Sequence, residues 1–172
     1  MNRINMLERS GFLAHSLAIE NDAVERYTTF AEQMEVTNNP EVAELFREMA
    51  RLEGLHAREI EAKNGNQPLP DGASWEFEWP HGDSPEAVDF SDTHYLMTPY
   101  QALTLVLKAE QRAVEFFETV ERASTDKDVR KMAAEFAREE REHVELVLKW
   151  RQRYSPPDEN WDDDPDPPNQ LE

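Results

Sequence analysis

The chain contains two copies of one helical hairpin. Apolar residues recur at helical spacing in four blocks, and there is little of the period-2 alternation that indicates strands. The first block aligns with the third and the second with the fourth without gaps, and the matching stretches are 20–27 with 110–117 and 42–60 with 129–147. A duplicated helical hairpin predicts an all-α protein built as a four-helix bundle.

Capping signals mark where these helices begin. Asn39 is a cap residue followed by proline at the first helical position, and Thr98 and Gln101 have the spacing of a capping box. The predicted helices run from about Leu7 to Val36, from Asn39 to about Gly65, from Thr98 to about Ser124, and from beyond Thr125 to about Arg153.

A connection of about 33 residues, 65–97, separates the two hairpins and contains four prolines and three glycines. So long a loop is uncommon in a compact domain, but one bundle topology needs a crossover that returns along the whole bundle. A helix of about 25 residues is about 37 Å long, which 33 extended residues span easily. We expect the aromatic residues of 75–79 to cover the outer surface of the bundle, or to form the interface of a homodimer, rather than to stack on a ligand.

Composition excludes several classes of function. The formal charge of −19 repels phosphate, so no nucleic-acid or anionic-membrane partner is expected. With no cysteine, the chain has no disulfide scaffold, zinc ribbon, rubredoxin-type iron site or thiol nucleophile. No apolar run is long enough for a signal peptide or a membrane span, which predicts a cytoplasmic protein.

The two ends of the sequence differ in character. Residues 1–154 form the predicted bundle domain, whereas 155–172 carry seven acidic residues, five prolines and no basic residue. Because such a segment has almost nothing to bury, we expect a disordered acidic tail. Its final Leu171-Glu172 is what a common cloning junction leaves, so these two residues support no biological argument.

Each predicted helix carries a glutamate in the middle of its apolar stripe. On the second and fourth helices this glutamate belongs to a Glu-x-x-His pair, whose side chains share one helix face. The polar residues that interrupt the apolar stripes are Glu20, Glu53, His56, Glu110, Glu140 and His143. The duplication places them at equivalent positions in both halves, so accident is a poor explanation.

Clustered glutamates in a core need a compensating charge. Burying an unpaired carboxylate costs several kcal/mol, and four close together also repel one another. Two divalent cations of total charge +4 neutralise the four predicted carboxylates, and each histidine adds one neutral nitrogen. Such a donor set suits iron or manganese, and it is the arrangement of di-iron and di-manganese carboxylate bundles. We therefore predict two Fe ions, with Mn as the alternative.

The sequence resembles the rubrerythrin-like branch of the ferritin-like superfamily over all four predicted helices. The matching segments are AIENDAVERYTTFAEQ, EVAELFREMARLEGLHAREI, KAEQRAVEFFETV and VRKMAAEFAREEREHVELV. The resemblance implies a ferritin-like bundle with a di-iron site that reacts with hydrogen peroxide or O₂. It also implies that the six interrupting residues are the ligands, that Glu53 and Glu140 bridge the metals, and that Tyr27 hydrogen-bonds a ligand carboxylate. From the residues alone, Tyr27 is equally well a core tyrosine with some other partner.

Two departures from rubrerythrins follow from the residues. Rubrerythrins have a further carboxylate one turn after the ligand of the third helix, and here that position is Ala113. The expected ligand set is therefore symmetric, with four glutamates and two histidines. The rubredoxin domain that supplies rubrerythrins with electrons is also missing from the sequence, so an external electron donor is expected.

These observations leave several functions open. The first is a di-iron oxidoreductase that reduces peroxide or oxidises Fe(II). A ferroxidase-type protein for iron handling or storage and a non-catalytic metal-binding helical bundle are the alternatives. A hydroxylase acting on a lipid-like or RNA substrate would need an apolar membrane face or a basic patch, which the chain lacks. We expect His15, His81 and His94 to be surface or loop residues outside the metal site.

Overall fold

A computed structural model of the chain describes residues 4–70, 77, 79, 84–86 and 96–158. It contains four helices, namely α1 (Arg9–Val36), α2 (Pro40–Lys63), α3 (Pro99–Ala123) and α4 (Lys127–Arg151). Within these described ranges there is no strand, and the one β-bridge joins Ile4 to Phe77. The prediction of an all-α four-helix bundle is confirmed.

The helices begin and end within about three residues of the predicted limits. Pro40 occupies the first turn of α2, and the side-chain oxygen of Gln101 accepts a hydrogen bond of 2.8 Å from the backbone N–H of Thr98. At the start of α4, Oδ1 of Asp126 accepts a hydrogen bond of 2.8 Å from the N–H of Asp128. At the starts of α3 and α4, these side chains replace the missing intrahelical partners of the backbone.

Two antiparallel hairpins make up the bundle, with α1 packed along α2 and α3 packed along α4. The turn between α1 and α2 is tight, and Asn38 adopts a positive φ of 60° there. Asparagine tolerates this left-handed conformation better than most residues do. Each half of the sequence duplication thus forms one hairpin.

The core consists of two apolar clusters. One includes Phe30, Phe46 and Leu103. The other includes Phe12, Phe117 and Phe136, whose rings lie 5.4 to 6.1 Å apart in edge-on and stacked contacts. On every helix, the residues of one cluster are separated from those of the other by the position of the predicted glutamate. The polar side chains therefore form a layer between two apolar clusters.

Aromatic residues in the described part of the crossover pack against the bundle. The rings of Phe77 and Trp79 pack against His15, and Trp79 also contacts Phe116. These two aromatic residues cover the bundle as predicted, whereas Trp75 lies outside the described residues. Pro85 and Glu86 form a turn within the crossover.

Two further expectations concern the termini and membranes. Residues 155–158 have no regular secondary structure, and the rest of the predicted acidic tail lies outside the described residues. Across the described residues, none of the helices has the combination of length and apolar character that crossing a bilayer requires.

Candidate metal centre

All six predicted ligands lie in the polar layer between the apolar clusters. The four glutamates are at most 2% exposed, and His143 is 7% exposed. His56 is the most accessible of the six, with 17% of its side chain exposed. The glutamates come from four different helices, and the histidines come from α2 and α4. The sequence prediction that these side chains face one buried region is therefore supported by their placement.

Four of these residues form a tight group that can hold a metal ion. Glu53, His56, Glu140 and His143 each offer a ligand atom, and these atoms all lie within 4.8 Å of one another. The two imidazole rings are nearly parallel, with centroids 4.6 Å apart. The two Glu-x-x-His pairs of the duplicated hairpins thus meet face to face.

His143 connects three of the carboxylates. Its Nδ1 lies 3.2 Å from Oε2 of Glu110, 3.4 Å from Oε1 of Glu53 and 3.4 Å from Oε2 of Glu140. On the opposite side, Nδ1 of His56 lies 3.7 Å from Oε1 of Glu140. Each histidine therefore faces the glutamate of the other Glu-x-x-His pair.

The buried glutamates of this layer lie close together, so their negative charges repel one another. Burial raises the pKa of Glu20 and of Glu110 well above the usual carboxyl value, and the neighbouring glutamates raise both further. Burial also opposes ionisation of Glu140, but contacts with His143 and His56 outweigh it and lower the pKa of Glu140 to about 2. Among the described residues, His143 and His56 are the groups whose protonation offsets the negative charge of Glu140.

The same contacts govern the protonation of His143. Burial opposes its protonation, but the surrounding carboxylates of Glu110, Glu140 and Glu53 outweigh burial and raise the pKa of His143 strongly. A metal ion needs the neutral imidazole, so metal binding must release this proton. The positive charge of the metal then takes over the role of the imidazolium.

A pair of iron or manganese ions fits the residues that are present. Oε1 of Glu110 is buried and accepts no hydrogen bond from any described residue, and Oε1 of Glu53, also buried, has only the 3.4 Å contact with Nδ1 of His143. Buried oxygen atoms rarely lack partners, and a cation is one partner that resolves the cost. Carboxylate oxygens with one imidazole per metal are donors that iron and manganese accept.

A fifth buried glutamate, missed by the sequence analysis, comes from the crossover. Glu86 is 3% exposed, and its Oε2 accepts a hydrogen bond of 3.2 Å from the hydroxyl of Tyr27. Burial and the charges of Glu53 and Glu140 raise the pKa of Glu86 well above its usual value. The expectation that the buried carboxylates number four is wrong. Glu86 belongs to no helical stripe, so helical periodicity gave no signal for it.

Tyr27 donates its hydrogen bond to a carboxylate that the sequence analysis did not identify. It is fully buried, and its hydrogen bond goes to the crossover rather than to a glutamate of the four helices. Burial and the charges of Glu86, Glu110 and Glu53 raise the pKa of Tyr27 well above that of a free phenol. Tyr27 is therefore a neutral donor beside the carboxylate layer.

The expectation that His15 is a surface or loop residue is wrong. His15 is completely buried and contacts Phe77, Trp79 and Phe116. Its Nδ1 lies 2.8 Å from the carbonyl oxygen of Gly11, and its Nε2 has no hydrogen-bond partner among the described residues. The crossover covers this side of α1, which the helical pattern could not reveal. His81 and His94 lie outside the described residues.

Taken together, the fold and this buried group define a ferritin-like four-helix bundle with a carboxylate and histidine centre. A family model described as Rubrerythrin matches residues 11–67, which include Glu20, Glu53 and His56. The crystal structure of an uncharacterized conserved protein from Magnetospirillum magnetotacticum MS-1 is similar to the chain, with a TM-score of 0.68 and 38% sequence identity. That similarity covers 90% of this chain and 98% of the other. No curated protein matches the chain.

The chain belongs to the rubrerythrin-like family of ferritin-like proteins, as the sequence resemblance predicted. This is a family of di-iron proteins, which agrees with the donor set of the buried layer.

Proposed function

We propose that this protein is a di-iron oxidoreductase whose buried centre reacts with hydrogen peroxide or O₂ and draws electrons from an external donor. The observation that carries the proposal is the meeting of two Glu-x-x-His pairs, with all four ligand atoms within 4.8 Å, in a layer closed by apolar clusters. A bound iron pair supplies the two electrons that reduction of a peroxide bond requires.

Six residues of the chain are the proposed ligands of such a pair. Glu53 and Glu140 lie in one group with both histidines and would be the bridging ligands of such a pair, while His56 and His143 would each hold one metal. Glu20 and Glu110 complete the set from α1 and α3. The apolar clusters on either side exclude bulk water, which strengthens the electrostatic contacts within the layer.

Access and proton supply follow from the same geometry. His56 is the most exposed of the proposed ligands, so it marks the side of the centre that lies nearest to solvent. Converting hydrogen peroxide to two waters consumes two electrons and two protons. The Tyr27 hydroxyl holds a proton beside the carboxylate layer at its hydrogen bond to Glu86.

Rapid mixing of the Fe(II)-loaded protein tests the proposal. Protein loaded anaerobically with two Fe(II) per chain is mixed with hydrogen peroxide or with O₂, and ferric absorbance is followed. We expect oxidation of both irons, faster than for free Fe(II), in the wild type and in Glu142→Gln, an exposed position on α4. Glu53→Gln should lose this reaction. Failure of the wild type to bind iron, or oxidation no faster than in buffer, would reject the proposal.

The fate of the oxidised iron separates the proposal from iron handling. An oxidoreductase keeps both irons in the centre and returns them to Fe(II) when a reductant is added. Release of Fe(III) after each oxidation, with fresh Fe(II) needed for the next, would instead favour the ferroxidase alternative.

A further inference from the structure

Glu86 is the only one of the five buried glutamates among the described residues that does not belong to a helix. It reaches the interior from the crossover, on a turn that it forms with Pro85. Glutamates are almost never fully buried unless they are paired. The position of Glu86 therefore needs a partner for its carboxylate.

The turn that carries Glu86 is held from two helices. Arg26 on α1 donates a hydrogen bond of 2.7 Å from Nη1 to the carbonyl oxygen of Glu86. Arg112 on α3 donates one of 2.8 Å from Nε to the carbonyl oxygen of Pro85. Both bonds end on the backbone and hold the turn in place, and the positive charge of Arg112 also acts on the Glu86 carboxylate.

The carboxylate of Glu86 lies beside the layer described above. Its Oε2 accepts the hydrogen bond of Tyr27, which uses one of its lone pairs. Among neighbouring charges, those of Glu53 and Glu140 act on it most strongly. These are the two glutamates proposed to bridge the metals, and their charges reach Glu86 through the buried layer.

We propose that Glu86 is a seventh protein ligand of the two-metal centre, supplied by the crossover and oriented by Tyr27. This inference rests on the proposed function. It also supplies the carboxylate that the sequence lacks on the third helix, where Ala113 offers no donor. The site therefore has five carboxylates and two imidazoles, and the crossover completes it.

The additional charge has a chemical consequence. Five carboxylates carry −5 against +4 for two divalent ions and +6 for two trivalent ions. A fifth carboxylate therefore stabilises the ferric pair more than the ferrous pair, because the attraction grows with the charge of the metal. Glu86 should favour oxidation of the iron pair and lower its reduction potential.

Replacement of Glu86 by glutamine tests this assignment without relying on activity. Glu86→Gln keeps the size of the side chain and an acceptor for Tyr27 but removes the charge. The wild type, Glu86→Gln and the exposed-site control Glu142→Gln are titrated with Mn(II), and their melting temperatures are measured with and without metal. We expect one of the two metals to bind at least about tenfold more weakly to Glu86→Gln. Even the mutation of a residue that only hydrogen-bonds to a ligand lowers metal affinity by roughly 10–100-fold.

The metal-free protein distinguishes a ligand from a packing residue. Without metal, Glu86→Gln should melt at the same temperature as the wild type or higher, since glutamine is neutral and needs no compensating charge when it is buried. Its metal-induced rise in melting temperature should be smaller. With iron bound, its reduction potential should be higher than that of the wild type. A metal affinity, metal-induced stabilisation and potential equal to those of the wild type would overturn the inference.

A second variant covers the case in which glutamine disturbs the fold. Glu86→Asp keeps the charge and shortens the side chain by one methylene, so it should also weaken binding of one metal. Unchanged metal affinity in this variant would overturn the inference as well. If the wild type itself binds no metal, the proposed function fails together with the inference. If the wild type binds two metals and the Glu86 variants match it, the inference alone fails.

Discussion

His143 on α4 lies 3.4 Å from Glu53 on α2, which joins the second half of the chain to the first. The reciprocal contact, between His56 and Glu140, measures 3.7 Å. Each Glu-x-x-His pair therefore completes its surroundings with the glutamate of the other pair. The centre belongs to neither hairpin alone, and it forms only when the two hairpins pack together.

Metal binding should stabilise the fold, because the metal-free layer contains carboxylates that must either take up protons or repel one another. A ligand that binds only the folded state contributes about 4 kcal/mol at a thousandfold excess over its dissociation constant. Thermal melting with and without Mn(II) or anaerobic Fe(II) measures this. Equal melting temperatures at saturating metal would argue decisively against a buried metal centre.

Loss of a bridging residue should affect both metals. We expect Glu53→Ala and Glu140→Ala each to bind fewer than two metals per chain and to weaken the one that remains, since a bridge contacts both ions. Metal analysis after equilibrium dialysis measures the stoichiometry, with Glu142→Ala as the exposed control on α4. Two metals per chain in either variant would remove the bridging assignment for that residue.

His15 should make stability depend on pH. Burial lowers its pKa, and the hydrogen bond at the Gly11 carbonyl only partly opposes this, so the folded state binds the proton less well than the unfolded state. The contribution of neutral, buried His15 to the free energy of unfolding is fully present above the unfolded pKa of about 6.5. It decreases as the pH falls towards the lower pKa of His15 in the folded state. Urea unfolding of the metal-free protein at several pH values between 8 and 5 should show this loss.

His15→Phe isolates the effect from the other titrating groups. The variant keeps an aromatic ring beside Phe77, Trp79 and Phe116, although it loses the hydrogen bond to Gly11. It should be less stable than the wild type at pH 8, with a difference that narrows as the pH falls. A constant difference in stability between wild type and variant across this pH range would mean that unfolding does not change the protonation of His15.

Two helical glycines should respond oppositely to alanine. A Cβ at Gly11 would lie 2.0 Å from the carbonyl oxygen of Asn5, a clash with backbone that cannot move aside cheaply. A Cβ at Gly54 would be 3.9 Å from Cγ2 of Val24, an ordinary contact. We expect Gly11→Ala to destabilise the fold by at least about 1–3 kcal/mol and Gly54→Ala to stabilise it by roughly 0.5–1 kcal/mol. Urea denaturation of both variants measures the difference, and stabilisation by Gly11→Ala would contradict the packing of 4–8 against α1.

The sequence alone was sufficient to predict the helices and the polar layer. Helical periodicity is a local property, so the apolar stripes and the capping residues Asn39 and Thr98 predicted the helices to within a few residues. The duplication then showed that Glu53 and Glu140 occupy equivalent positions in the two halves, as do His56 and His143. The cost of burying unpaired carboxylates led from these positions to a metal centre before any distance was known.

The tertiary structure alone revealed the surroundings of Glu86, Tyr27 and His15. Glu86 follows Pro85 in an irregular segment, where no repeat ties a residue to the core or to solvent. Its burial depends on two arginines of distant helices that hold the turn. For the same reason the sequence predicted neither the partner of Tyr27 nor the burial of His15, since the crossover supplies the surroundings of both. A helix repeats every 3.6 residues and reveals its buried face in sequence, whereas the path of a crossover is set by long-range contacts.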